Sequence, residues 1–390
     1  MRQYFSTFLI LILSFLGLIS CESPAYISGQ LEGTEGEEFL VYLIQPKDLS
    51  ELGASYFGLV IDSAVVRADG RFELANRPHI ELPELFELVV QKRGKAPNYL
   101  EVDNALASNY MPIVWSSGET IQLSADVRAF QKSLSIQNPS ALNNELLRLR
   151  NVSQQALERY LRNDDNAQEE IGLLELEHAK LQYQRALMDL ADETNYFLSA
   201  MVALRWVSPQ GIYERVPEFL VEQCARWQDE QHAWSKELCE LASPTALPVL
   251  IGDEFPNERL PMIDMDTLAI YDIMGEQLTI IDLWASWCAP CRKENRKVLA
   301  PLWDAYHEKG FQIIGYGLES DRNAWIGAIA KDEADRWYHA SELEGDDAPF
   351  LRRLRIQTIP ANFILDTQGK VIAKNLHGEE LVEFVKHYLD

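Results

Sequence analysis

Two of the five cysteines, Cys288 and Cys291, stand three residues apart behind the run Leu278-Thr279-Ile280-Ile281-Asp282-Leu283-Trp284. The run reads as a buried strand and Arg292-Lys293-Glu294-Asn295 opens a helical pattern, so the pair falls where a strand turns into a helix. At that spacing in a first helical turn, Cα atoms lie about 5 to 6 Å apart, within the range a disulfide accepts. The pair can therefore open and close with little backbone movement. Cys288 meets the unpaired N–H groups and the positive dipole end of the helix N-terminus, which favour a thiolate, the nucleophilic form. Cys291, one turn in, is expected to be buried, and Pro290 suits a first turn because its missing N–H costs nothing there. Half of a zinc site is the other reading of such a pair. Zinc needs four ligands, however, and no second Cys or His pair at ligand spacing accompanies this one.

The motif Trp287-Cys288-Ala289-Pro290-Cys291, with Asp282 upstream and Thr358-Ile359-Pro360 downstream, resembles the thioredoxin superfamily, and more closely the TlpA-like thiol:disulfide oxidoreductases. The resemblance covers about residues 247 to 390. It implies that Asp282 is a buried carboxylate assisting proton transfer at Cys291. It also implies that Pro360 is cis and faces the disulfide, with the backbone of Ile359 and the ring of Trp287 contacting the client. Two positions depart from the family pattern. Ala289 replaces the commoner Gly, and Arg296 stands where a bend-inducing proline is usual, with Pro301 appearing later. These changes are expected to move the helix bend and tune the redox potential without removing a reacting group.

The pattern places these residues in the last of several regions. The apolar run Phe8 to Ile19 behind Arg2 is shorter than a spanning helix and matches a signal-peptide core, giving residues 1–20 as a signal segment. Leu18-Ile19-Ser20-Cys21 resembles the lipobox of bacterial lipoproteins, which implies an acylated Cys21; an uncleaved anchor is the alternative. Both put the rest of the chain in the cell envelope, lipid-anchored and facing the periplasm, without deciding between the two membranes. A formal charge of −25 disfavours nucleic acid and anionic lipid surfaces as partners.

Residues 21–137 carry short apolar or alternating runs, including 39–44, 59–66, 85–90 and 120–123, and read as a β-sandwich. Ala68-Asp69-Gly70-Arg71 reads as a hairpin turn. Ile27-Ser28-Gly29, Ile61-Asp62-Ser63-Ala64, Gly70-Arg71-Phe72 and Ser117-Gly118-Glu119 resemble a β-sandwich domain of uncharacterised function that precedes TlpA-like modules in lipoproteins. Residues 138–246 read as a helical region: an antiparallel pair broken at Asn163-Asp164-Asp165-Asn166, then three shorter helices. Within it, Cys224 and Cys239 would lie about 22 Å apart on one continuous helix but would face each other in a hairpin turning near Gln231 and His232. A structural disulfide and two buried thiols both remain open there. His178 reads as a surface residue. Residues 247–390 alternate strand and helix and close with a hairpin and a helix, an α/β sandwich of thioredoxin type reached by pattern as well as by motif.

These readings converge on a membrane-anchored periplasmic thiol:disulfide oxidoreductase that reduces client protein disulfides, takes electrons from a membrane donor and needs no cofactor or metal. A peroxide-reducing enzyme is one alternative, although Ala285 replaces the Thr or Ser that its family pattern places three residues before the reacting cysteine. A Cu(I)-delivery module built from Cys288, Cys291 and His377 is another, on the softness of thiolate ligands. A non-catalytic adaptor retaining the thioredoxin scaffold is the third.

Overall fold

The computed structural model of the chain describes residues 25–54, 58–101, 107–161 and 170–390. The signal segment, Cys21 and the Asn163–Asn166 break fall outside the described residues.

The N-terminal strands form two four-stranded sheets. One holds β1 (Ile27–Glu32), β4 (Arg71–Leu74), β7 (Ile121–Asp126) and β8 (Ser135–Ile136) in the order β4-β1-β7-β8. The other holds β2 (Phe39–Gln45), β3 (Leu59–Val65), β5 (Glu84–Lys92) and β6 (Tyr110–Trp115) in the order β3-β2-β5-β6. The Asp69-Gly70 turn forms, with Gly70 at φ +81°. The strands on either side of it do not make a hairpin, however, since β3 pairs with β2 and β4 pairs with β1. The reason is a close approach: a Cβ on Gly70 would stand 2.2 Å from the Leu31 carbonyl oxygen, so the turn lies directly against β1 and hands the chain to the opposite sheet. Gly29 has a similar role, pairing with Phe72 in register and leaving room for its ring. The strand β6 contains Pro112, which a sheet accommodates at its edge, and that is where β6 lies.

The outer edge of β6, paired with no strand among the described residues, is covered by a helix. After the short α1 (Phe130–Ser133), α2 (Ala141–Tyr160) sets its Asn143 side chain against Val114, accepting from the N–H at 2.8 Å and donating to the C=O at 2.7 Å. Next come α3 (Glu170–Glu193), α4 (Phe197–Val207), α5 (Pro217–Trp227) and α6 (Ala233–Leu241). Bonds from Arg148 to Glu193 and between Ser153 and Tyr183 run in opposite sequence directions, so α2 and α3 are antiparallel. One hydrophobic core runs from Tyr26 to Leu247 through both sheets and the helices, and α4 is buried on every side within it. Strands and helices on the two sides of residue 137 thus share their packing.

A second core runs from Phe255 to Val385. It is built on a sheet of order β13-β12-β11-β14-β15, preceded by a small pair, β9 (Arg259–Pro261) and β10 (Thr267–Ala269). The central β11 (Leu278–Trp284) is buried at every position and pairs in parallel with β12 (Phe311–Gly317), which pairs in parallel with β13 (Tyr338–Ala340). On its other side β14 (Ala361–Leu365) and β15 (Val371–Lys374) are antiparallel. The helices are α7 (Ala289–Glu294), α8 (Ala300–Tyr306), α9 (Arg322–Lys331), α10 (Pro349–Leu354) and α11 (Gly378–Leu389). The helical pattern that opens at Arg292 is interrupted by a π turn at Asn295–Leu299, ahead of Pro301. Pro301 cannot donate to the preceding turn, and the Ala300 N–H reaches back to Asn295, which widens the helix there. The chain is therefore multi-domain: a β-rich N-terminal region, a helical middle and a C-terminal α/β domain. Among the described residues, no helix is long and apolar enough to cross a membrane.

Candidate active site

The site forms at the carboxyl end of β11, where the chain leaves the sheet through Ala285-Ser286-Trp287 and enters α7. Cys288 is the N-cap of α7, Pro290 occupies its first turn, and Cys288 and Cys291 are joined in a disulfide with Cα atoms 5.3 Å apart. The Cys291 N–H points at Cys288 Sγ from 3.3 Å. The same donor serves a thiolate at Cys288 once the disulfide is open, a charge-assisted bond of the kind that stabilises the anion. Both sulfurs are largely covered, whereas the neighbouring Trp287 is 65 % exposed and forms the rim.

The loop before Cys288 is held from two sides. Glu319, at the end of the segment following β12, accepts from both the N–H and the hydroxyl of Ser286. Arg292 donates to the Ser286 carbonyl at 3.1 Å while forming an ion pair with the fully buried Asp332, which Arg296 also contacts. Arg296, where a proline was the family expectation, is thus an ion-pairing residue. Burial raises the Glu319 carboxyl above its usual range, and its two bonds to Ser286 oppose that shift.

Asp282 sits in the middle of β11, opposite Asn362 of β14 and Gly315 of β12, and is buried. Burial first, and the negative charge of Glu294 second, push its carboxyl well above the ordinary range. Glu294 was not singled out by sequence reasoning, although its spacing carries the signal: three residues after Cys291, it lies one turn along the same helix face. It is buried, pairs with His377 Nδ1 at 2.8 Å and accepts from the Gly378 N–H at 3.1 Å. His377 is therefore turned to a carboxylate. Among the described residues, no group of three His, Cys, Asp or Glu is arranged to hold a metal ion.

The Ile359–Pro360 peptide is cis. Pro360 is buried, Thr358 exposed and Ile359 half-buried. Pro360 directly precedes Ala361, which pairs with Leu283 one residue before the end of β11, the strand that leads to Cys288. A cleft of about 1030 Å³ runs from Thr358 and Pro360 between α3 and α7 to the start of α11. His178 is exposed and lines that cleft. Cys224 and Cys239 lie elsewhere, joined in a disulfide between α5 and α6.

A thioredoxin-like family model matches residues 275–371. The thiol:disulfide interchange protein DsbE of Pseudomonas fluorescens biotype C is 28 % identical over 130 residues, covering 33 % of this chain and 68 % of that protein. The thiol:disulfide interchange protein HelX of Rhodobacter capsulatus is 25 % identical over 133 residues, covering 34 % and 71 %. A solved thiol-disulfide oxidoreductase from Bacteroides fragilis is 29 % identical, covering 35 % of this chain and 98 % of that one, with a TM-score of 0.32. With a fold, a cysteine pair and relatives that agree, the C-terminal part of this chain is a thioredoxin-like domain with thiol:disulfide oxidoreductase activity.

Proposed function

We propose that the chain is an envelope enzyme, anchored through Cys21 and facing the periplasm, that reduces disulfides of client proteins with the Cys288–Cys291 dithiol. The observation that carries this reading is the Cys288–Cys291 pair at the start of α7, with the Cys291 N–H aimed at Cys288 Sγ. In the reduced enzyme, the Cys288 thiolate attacks one sulfur of the client disulfide. A mixed disulfide forms and the first client thiolate departs, taking up a proton. Cys291, deprotonated by Asp282, then attacks Cys288 Sγ and expels the second client thiolate. Two electrons pass to the client and the Cys288–Cys291 disulfide remains, to be reopened by a dithiol donor at the membrane. A buried carboxyl of raised pKa suits the proton step, because it can hold the proton that Cys291 gives up inside the domain. Trp287 and Ile359 form the surface that the client meets, and Pro360 shapes it.

The reducing direction follows from the motif. Ala289 and Pro290 add no positive side chain beside Cys288, and Arg292 is engaged with Asp332. The thiolate therefore lacks the extra stabilisation that makes strong oxidants. Turnover of a protein disulfide tests the reading: Cys288→Ser abolishes it without unfolding the protein, and an inactive wild type overturns it. A reduction potential at or below about −230 mV supports the direction, and one near about −120 mV reverses it. Anchoring is tested separately, since Cys21→Ser should move the protein from the membrane fraction to the soluble one.

A further inference from the structure

The loop that carries Pro360 is gripped by the N-terminal part of the chain. Glu214 and Arg215 precede α5, and Glu214 is buried. Its carboxylate accepts from two consecutive backbone N–H groups, Gln357 at 3.0 Å and Thr358 at 3.1 Å. Arg215 donates to the Pro360 carbonyl at 2.7 Å and to the Asn375 side chain at 3.1 Å. Backbone groups on both sides of Ile359 are thereby occupied. Ile359 itself takes part in no hydrogen bond among the described residues. It lies two residues before Ala361, where β14 begins beside the end of β11, and the thioredoxin resemblance implies that this backbone meets the client, by β-type pairing with an extended segment.

We infer that Glu214 and Arg215 are positioning residues for client binding: they fix the Thr358-Ile359-Pro360 loop so that one residue's backbone is left to pair with an extended polypeptide beside the disulfide. The inference rests on the reading of the chain as a reductase of protein disulfides. It assigns the N-terminal part of the chain a share in client affinity, and none in the electron transfer itself. A polypeptide client needs the loop in register, whereas a small disulfide reaches Cys288 without pairing along it. Other contacts hold the two parts together independently of the pair, including the Lys374–Glu218 ion pair at 2.7 Å and the donation from Arg355 to the Leu247 carbonyl at 2.5 Å.

The test compares the full chain with its Glu214→Gln, Arg215→Ala and Arg215→Lys variants. Two substrates are used, insulin as the polypeptide disulfide and dithiobis-nitrobenzoate as the small one. For insulin, KM should rise about tenfold in Arg215→Ala, the effect of losing one charge-assisted hydrogen bond, while kcat stays within about twofold. Glu214→Gln should move the same way, and Arg215→Lys should recover part of the loss. Rates with the small disulfide and the reduction potential should both stay at the wild-type values. An unchanged insulin KM, or an equal loss on both substrates, overturns the inference while leaving the reductase reading in place. A wild type inactive on both substrates removes the reductase reading, and the inference with it.

Discussion

The Cys224–Cys239 disulfide offers a stability test whose size follows from the structure. It closes 15 residues between α5 and α6, with Cα atoms 5.0 Å apart. If the crosslink acts by restricting the unfolded chain, a loop of that length contributes about 3 kcal/mol at 25 °C. The hydrophobic core containing the hairpin spans Tyr26 to Leu247, and for a unit of that size each kcal/mol moves the midpoint by about 2 to 4 °C. The Cys224→Ala/Cys239→Ala variant should therefore melt about 6 to 12 °C lower than wild type in calorimetry of the oxidised proteins. The hairpin keeps other supports: buried Trp234 and Leu238, and the bond from the Ser235 hydroxyl to the Trp227 carbonyl at 2.7 Å. Local packing should thus survive, and the Cys288–Cys291 potential should not move, because the two disulfides belong to different cores. A midpoint shift under about 2 °C would show that packing alone fixes the hairpin and refute the entropic argument. A changed redox potential would refute the separation of the two disulfides.

Two further outcomes concern buried acids. Asp282→Asn should slow turnover of a protein disulfide by about 10²-fold, the usual size of a lost proton-transfer group, and a rate within about twofold of wild type would remove Asp282 from the mechanism. Its raised folded pKa also means that wild-type stability is lost as pH rises through that pKa, so the Asn variant should gain relative stability at high pH in urea titrations. Glu87, buried in β5 and accepting from the Gly53 N–H at 2.6 Å, has its pKa raised to about 8, chiefly by burial. Folded stability should then fall between about pH 4.5 and 8, where Glu87 ionises in the unfolded chain while the fold holds it protonated, and Glu87→Gln should flatten that decline; identical pH profiles would refute it.

Local features of the sequence revealed the parts of the fold that local forces set. The strand β11, the cap at Cys288 and Pro290 in the first turn all follow from patterns a few residues long. The three-residue strands β9, β10 and β13 carried no such pattern, because three residues cannot show a period. The interrupted helix after Cys291 was half legible. Pro301 predicted a bend, whereas the π turn ahead of it depends on how the chain re-pairs its carbonyls. The Asp69-Gly70 turn was legible as a turn, but its destination was not. Whether two strands pair with each other or enter opposite sheets depends on Leu31, far back in the chain, against which Gly70 packs.

The same division explains the site. The residues proposed to react are close in sequence or carry a recognisable motif, since a disulfide, a helix terminus and a cis-proline loop each impose local residue choices. The residues that hold those groups in place lack such marks. Glu319 reaches Ser286 across 33 positions and Glu214 reaches Thr358 across 144, and no periodicity relates such pairs. Glu214, Arg215 and Glu218 nevertheless form one short segment. In sequence it reads only as charges around Pro217 at a helix start; in the fold each charge meets the C-terminal domain at Thr358, Pro360 or Lys374. A carboxylate that takes two backbone N–H groups, beside a guanidinium that takes a carbonyl, imposes direction as well as attraction, and so fixes an orientation that nonspecific burial would leave loose. The helical middle is thus joined to the redox domain at the loop that carries Pro360. Separating the domains should therefore change client affinity before it changes thiol chemistry, and steady-state kinetics of the isolated C-terminal domain on insulin and on dithiobis-nitrobenzoate would distinguish the two.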